Sequence, residues 1–274
     1  MSQLTLVDTK LHVVEHGAGA PLLFVHGTLE DYRAWKPQTD FFSHAYRTLA
    51  YSRRYHYPNA ARGDETDYAP TLHARDLLAL LDALNIDRAH VVGASYGAYI
   101  ALTFATQHAA RVRSLVLAEP PLIPWLLENA EAAVYARAFY ERAWKPTGEA
   151  FARGETEAAL KVFVDGVNRP GTFARLDEAT RAVLAQNARA LKIETQSPDY
   201  FLPLSESDVA ALAMPVLLLG AQHSPAHFGL ILDRLQQVLP HARRVTISRT
   251  GHAMNLGNAK MYNETVHAFL QNVA

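Results

Sequence analysis

The chain contains no cysteine. That excludes disulfides, thiolate zinc sites and a cysteine nucleophile, and it suits a reducing compartment, so a cytoplasmic location is expected. An excess of charge of either sign is also missing: 26 basic residues face 27 acidic ones, for a formal net charge of -1. No overall field is present to attract nucleic acid or an anionic membrane surface, and the expected partner is a small molecule. The opening residues, MSQLTLVDTK, lack a basic segment followed by an apolar one, and no uncharged apolar run long enough to span a bilayer follows. Neither a cleaved export signal nor a membrane partner is expected. Internal repeats and low-complexity tracts are lacking too, and a homodimer is left open. H-E-x-x-H, the P-loop and a dinucleotide G-x-G-x-x-G are all missing, so no metal and no cofactor are expected.

What remains is a globular chain of 274 residues, 49% apolar and 19% charged, long enough to bury a sizeable core. Short β-rich runs come first, at 4 to 7, 10 to 17, 21 to 27 and 46 to 52. Leu22 to Val25 is apolar on both faces, as a central strand covered by helices would be. A helix follows, with leucines 77, 78, 81 and 84 on one face. HVVGA, YGAYIALTFATQHAARV and SLVLAEPP then read as strand, helix and strand, a βαβ unit that builds parallel sheet. Strand and helix patterns resume at 214 to 221, 228 to 239 and 242 to 248, with a last helix from about 258 to 271. Residues 121–213 are rich in alanine, glutamate, arginine and aromatics and read as helices. The predicted fold is α/β, a mostly parallel sheet flanked by helices. Its core spans 1–120 and 214–274, and 121–213 form an inserted helical cap.

Between HVV and the following helix stands GASYG, residues 93 to 97. A strand turning sharply into a helix strains the turn residue, which is tolerable when its neighbours are tiny, as Gly93 and Gly97 are. Ser95 would project its Oγ over the sheet edge, and the helix behind it would aim free N–H groups at the same spot. The bland alternative is a small-residue crossing packed tightly for its own sake.

With FVHGT, GASYG, LVLAEPPL, PVLLLGAQHSP and TGHAMNL in this order, the chain resembles the α/β-hydrolase superfamily over nearly its whole length. The resemblance implies a capped serine hydrolase. His26-Gly27 would shape an oxyanion hole built from the N–H groups of Thr28 and Tyr96. A serine hydroxyl needs a base. Of 13 histidines, His252 stands out, in a loop after the last strand and preceded by Gly251; His267 reads as a surface residue. Many members carry the triad acid shortly after the glycine that ends the strand following the cap, here Gly220. Positions 221 to 224 hold no acid, only His223 and Ser224 among polar candidates beside Gln222. Either the triad is broken or the acid has moved to Glu119, at the end of the preceding strand, where some members keep theirs. Glu119 could instead cap a cap helix or pair with an arginine, and Asp233 is a distant reserve.

Further candidates for substrate binding are Arg54, with Arg53 and His56 beside it, His26 and Trp125. The arginines would either hold a substrate carboxylate or pair with Asp64, Glu65 or Asp67. The aromatics of 121–213, among them Phe139, Trp144, Phe163 and Tyr200, read as cap core, a few of them lining a cavity. The expected activity is hydrolysis of an ester-like bond (ester, lactone, thioester or a C–C bond beside a carbonyl) in a small apolar metabolite, through Ser95, His252 and Glu119. The alternatives are a non-hydrolytic cyclase, isomerase or lyase on the same fold, or a non-catalytic ligand receptor. A serine at the elbow speaks against epoxide hydrolase chemistry, since those members use an aspartate there.

Overall fold

The computed structural model describes residues 2–6, 8–59 and 67–273. Val7, expected in the first strand, and Asp64 and Glu65, weighed as arginine partners, lie outside the described residues. Eight described strands form one sheet: β1 (Ser2–Thr5), β2 (Lys10–His16), β3 (Ala20–Val25), β4 (Tyr46–Tyr51), β5 (Ala89–Ala94), β6 (Val112–Ala118), β7 (Val216–Ala221) and β8 (Arg243–Ile247). Their order is β1-β2-β4-β3-β5-β6-β7-β8. β3 to β8 run parallel, while β1 and β2 add an antiparallel edge. β1 begins and ends two residues before the span expected for it. The N–H of Leu6 donates to the carbonyl of Thr9 at 2.8 Å, just beyond the strand's end at Thr5.

Period-2 alternation divides the core between the two faces. Leu22, Phe24, Val92, Val116, Leu217 and Leu219 pack on one side with Trp35, Phe42, Tyr262 and Phe269. Those partners come from the segment before α1, from α1 (Lys36–Phe42) and from α13 (Ala259–Leu270). Leu23, Val25, Val91, Leu115 and Leu218 face the other way. They meet α2 (Pro70–Ala83), α3 (Tyr96–Gln107) and α11 (Ala226–Val238). The buried stripe of α2 is Leu77, Leu80 and Leu81, with Leu78 and Leu84 only half-buried, so it is rotated slightly from the expected one.

Every described element between β6 and β7 is helical: α4 (Ile123–Leu127), α5 (Ala130–Phe139), a π-helical turn (Tyr140–Trp144), α6 (Lys145–Ala152), α7 (Thr156–Val167), α8 (Thr172–Arg175), α9 (Glu178–Gln196) and α10 (Glu206–Ala210). Polar contacts pin this segment to the sheet side. The Tyr96 ring stacks on Tyr200 with centroids 4.0 Å apart, and the Tyr99 hydroxyl donates to the carbonyl of Leu202. A short helix, α12 (Met254–Gly257), follows β8.

Candidate functional site

Adjacent parallel strands end together, and the polar residues just beyond those ends are brought side by side. Ser95 follows β5 at φ 52°, ψ -125°, a region that L-residues avoid, and Glu119 follows β6 at φ 46°. Such strain costs on the order of 1–3 kcal/mol per residue and marks places where the surrounding structure dictates the backbone. The Ser95 N–H donates to the carbonyl of Ala118 at 2.8 Å, and that of Glu119 donates to Leu219 at 3.0 Å, which fixes both turns to the neighbouring strand. Glycine is required beside Ser95. A Cβ on Gly97 would stand 2.1 Å from the Val25 carbonyl oxygen, and one on Gly93 would stand 2.5 Å from that of Gly97. The Ser95 hydroxyl does not cap α3, so it is not spent on the helix.

The loop after β8 carries His252 to the same end of the sheet. Its Nδ1–H donates to Glu119 Oε2 at 2.6 Å. Glu119 is buried, and its carboxylate is fully engaged: Oε1 accepts the Ala221 N–H at 2.7 Å, and Oε2 also accepts the Ser224 hydroxyl at 2.8 Å. Phe228, from α11, stacks on the imidazole at 4.1 Å and an interplanar angle of 14°. Both contacts fix the ring's orientation, and Nε2 has no hydrogen-bond partner among the described residues.

The loop after β3 supplies the third side. Leu29 takes φ 60° there, the N–H of Gly27 donates to Glu30 Oε2 at 2.9 Å, and the carbonyl of Glu30 accepts from His56 Nδ1 at 2.6 Å. Burial pushes the Glu30 carboxyl up from its ordinary range. The N–H groups of Thr28 and Tyr96 have no acceptor among the described residues.

Ser95, His252, Gly27, Thr28 and Glu30 share one cavity of about 330 Å³. Its far wall is apolar and comes mainly from the helices between β6 and β7: Phe163, Val164 and Val167 from α7, then Leu176, Val183 and Leu184. Asn168, Thr172 and Thr180 of the same segment also line the cavity, as do Asp31 and Arg33. Among the described residues, no group of three or more His, Asp or Glu could hold a metal ion, and no described helix is long and apolar enough to cross a membrane.

Three residues expected to touch substrate stand elsewhere. Trp125 lies buried against the core, its Nε1–H donating to the carbonyl of Leu204 at 2.8 Å, and it borders a different surface cleft. Arg54 is consumed by a bidentate pair with Asp76, at 2.7 and 2.6 Å, and by Asp8 at 2.7 Å, so its charge is already neutralised. His26 is fully buried. Its Nδ1–H donates to the Gly27 carbonyl at 2.8 Å, its Nε2 accepts the Arg53 N–H at 2.9 Å, and burial holds its pKa well below the ordinary value. Asp67 accepts from the N–H of Ala69. Asp233 pairs with Arg244 on the surface. Of the aromatics in 121–213, Phe163 reaches the cavity.

Sequence reasoning passed over Glu30 and Phe228, and named Ser224 without giving it a role. Glu30 could have been found from its place in the loop after His26-Gly27, and a role for Ser224 from its standing where an acid was sought. Nothing in the sequence of α11 distinguishes Phe228 from its apolar neighbours.

Comparison with known proteins agrees with this architecture. The model of a family described as alpha/beta hydrolase fold matches residues 20–259. An epoxide hydrolase of Caballeronia sordidicola is 33% identical over 128 residues, which cover 46% of this chain and 38% of that protein. The chain therefore matches well under half the length of that relative. Carboxylesterase YbfK of Bacillus subtilis is 22% identical over 268 residues, 95% of this chain and 84% of the relative. Among solved structures, the enol-lactonase of Burkholderia xenovorans LB400 superposes with a TM-score of 0.79 at 18% identity, covering 99% of this chain and all of that one, a likeness of fold. The protein, with strand-end Ser95, Glu119 and His252 gathered under a helical wall, belongs to the alpha/beta hydrolase fold family.

Proposed function

We propose that the chain is a serine hydrolase cleaving an ester-like bond in a small, largely apolar molecule, with Ser95 as nucleophile, His252 as general base and Glu119 as the triad acid. The observation that carries this reading is the 2.6 Å contact from His252 Nδ1 to Glu119, which leaves Nε2 without a partner among the described residues, on a side chain that lines the same cavity as Ser95. His252 Nε2 takes the Ser95 proton as Oγ bonds to the substrate carbonyl carbon. The carbonyl oxygen becomes an oxyanion, received by the N–H groups of Thr28 and Tyr96. Collapse of this intermediate breaks the bond to the leaving group, which departs with the proton from His252 and leaves an acyl-serine. Water, losing a proton to His252, then releases the acid and restores Ser95. Glu119 stays ionised throughout and stabilises the imidazolium. The helices between β6 and β7 act as the cap that excludes bulk water and selects the acyl group.

A serine at the strand-to-helix turn supports carbonyl chemistry. Epoxide opening, named for one relative, is performed in the α/β-hydrolase superfamily by an aspartate at that position. An enol-lactonase and a carboxylesterase among the relatives are in keeping with an ester or lactone substrate. The test is intact-mass analysis after exposure to a small fluorophosphonate. One adduct on the wild type and none on Ser95→Ala is expected. A folded wild type that takes no adduct overturns the assignment of Ser95.

A further inference from the structure

Arg53 has no place in the chemistry above, yet it is fully buried among side chains of the core and of α9. Its guanidinium reaches the loop after β3 twice: Nε–H donates to the His26 carbonyl at 3.0 Å and Nη2–H to the Gly27 carbonyl at 2.9 Å. Nη1–H donates to the Tyr68 hydroxyl at 2.6 Å, and Glu194 of α9 balances the charge at 3.3 Å. Such a pair is poorly explained by stability. Desolvating two charges costs several kcal/mol per ion, and well-packed apolar residues of similar volume often serve as well.

The peptide joining Gly27 to Thr28 gives the arrangement a use. Its carbonyl accepts two hydrogen bonds, from the Arg53 guanidinium and from His26 Nδ1 at 2.8 Å. Its N–H is that of Thr28, which has no acceptor among the described residues and belongs to a residue lining the Ser95 cavity. In a trans peptide the C=O and N–H point in opposite directions, so holding the carbonyl into the core turns the N–H outward. A carbonyl bonded to a cation also withdraws electron density from its amide, and hydrogen bonds linked through one peptide strengthen each other. We infer that Arg53 is a positioning residue for the oxyanion site, orienting and polarising the Thr28 N–H through the Gly27 carbonyl, with Glu194 coupling this contact to the cap. This rests on the roles proposed for Ser95 and Thr28.

Lysine keeps the charge but lacks the planar fork that spans both carbonyls, so Arg53→Lys separates attraction from geometry. On a short-chain aryl ester this variant is expected to lose about 10- to 100-fold in kcat with KM unchanged, below the roughly 10²- to 10³-fold cost of deleting an oxyanion donor outright. A trifluoromethyl ketone, which forms a tetrahedral oxyanion adduct on the serine, should weaken by the same factor. A folded variant with wild-type kcat overturns the inference. So does a loss that leaves trifluoromethyl ketone affinity untouched or merely follows the folded fraction. Should the variant not fold, the wild type decides by NMR: a strongly deshielded Gly27 carbonyl carbon is expected from its two donors, and an ordinary shift overturns the inference. The fluorophosphonate adduct on the wild type separates the two layers. Its absence removes the Ser95 reading and this inference together, whereas its presence with an unaffected Arg53→Lys removes only the latter.

Discussion

Glu119 accepts three hydrogen bonds with one carboxylate, and only one of them is to His252. The other two, from Ala221 and Ser224, come from β7 and the turn after it, so the strand that carries no acid still aims the acid of its neighbour. Replacing Glu119 by glutamine keeps the shape and removes the charge that stabilises the imidazolium. The expected result is a fall in kcat of roughly 10³- to 10⁴-fold with folding intact, by analogy with other triads. A drop under about tenfold in steady-state kinetics would mean that His252 does not depend on this carboxylate. Ser95 was legible because glycines on both sides and the change from strand to helix pattern point to one geometry. Glu119 was reached through the resemblance, because some members keep their acid at that strand end and positions 221 to 224 hold none. Trp125, Arg54 and His26 were misplaced relative to the cavity because their orientation depends on distant partners: Leu204 lies 79 residues from Trp125, Asp76 lies 22 from Arg54, and Arg53 lies 27 from His26. A single sequence says nothing of such pairings.

The turn from β5 into α3 works as an element because α3 can lie directly against β3. Gly97 is the point of closest approach, with the Val25 and His26 carbonyl oxygens at 2.1 and 2.5 Å from where a Cβ would stand. Gly97→Ala must therefore shift α3 or the end of β3, and both carry groups of the site. Thermal unfolding of this variant is expected to come at lower temperature, with a loss of about 1–3 kcal/mol as for other overpacked cores. Its fluorophosphonate labelling should slow as well, and unchanged labelling would show that the elbow tolerates a looser seat. The strands and the helical character of 121–213 could be read from periodicity, since burial on two faces leaves a two-residue or a 3.6-residue trace. Which helix faces line the cavity could not. α7 is apolar both where it packs on its neighbours and where it presents Phe163, Val164 and Val167 to the empty space.

Among the described residues, five imidazoles are buried: those of His26, His56, His73, His90 and His227. Burial holds His26, His56 and His73 well below the ordinary value of 6.5, and pushes His90 and His227 down to about 4. Between those limits the unfolded chain binds protons that the native state refuses. The stability that these rings contribute is complete above about pH 6.5 and declines as pH falls toward 4, opposed in part by the carboxyls of Glu30, Asp76 and Glu194, which burial pushes up. Urea unfolding should show a clearly lower midpoint at pH 5 than at pH 7.5, and equal midpoints would contradict the burial of these rings. His252 meets Glu119 across 133 residues of chain, and the groups around the cavity come from loops after β3, β5, β6 and β8. A nascent chain thus presents its serine long before the histidine that would arm it has been translated. If the proposed triad holds, a chain whose last strand has not yet docked should take no fluorophosphonate adduct, and the onset of labelling at Ser95 during refolding would time the completion of the sheet.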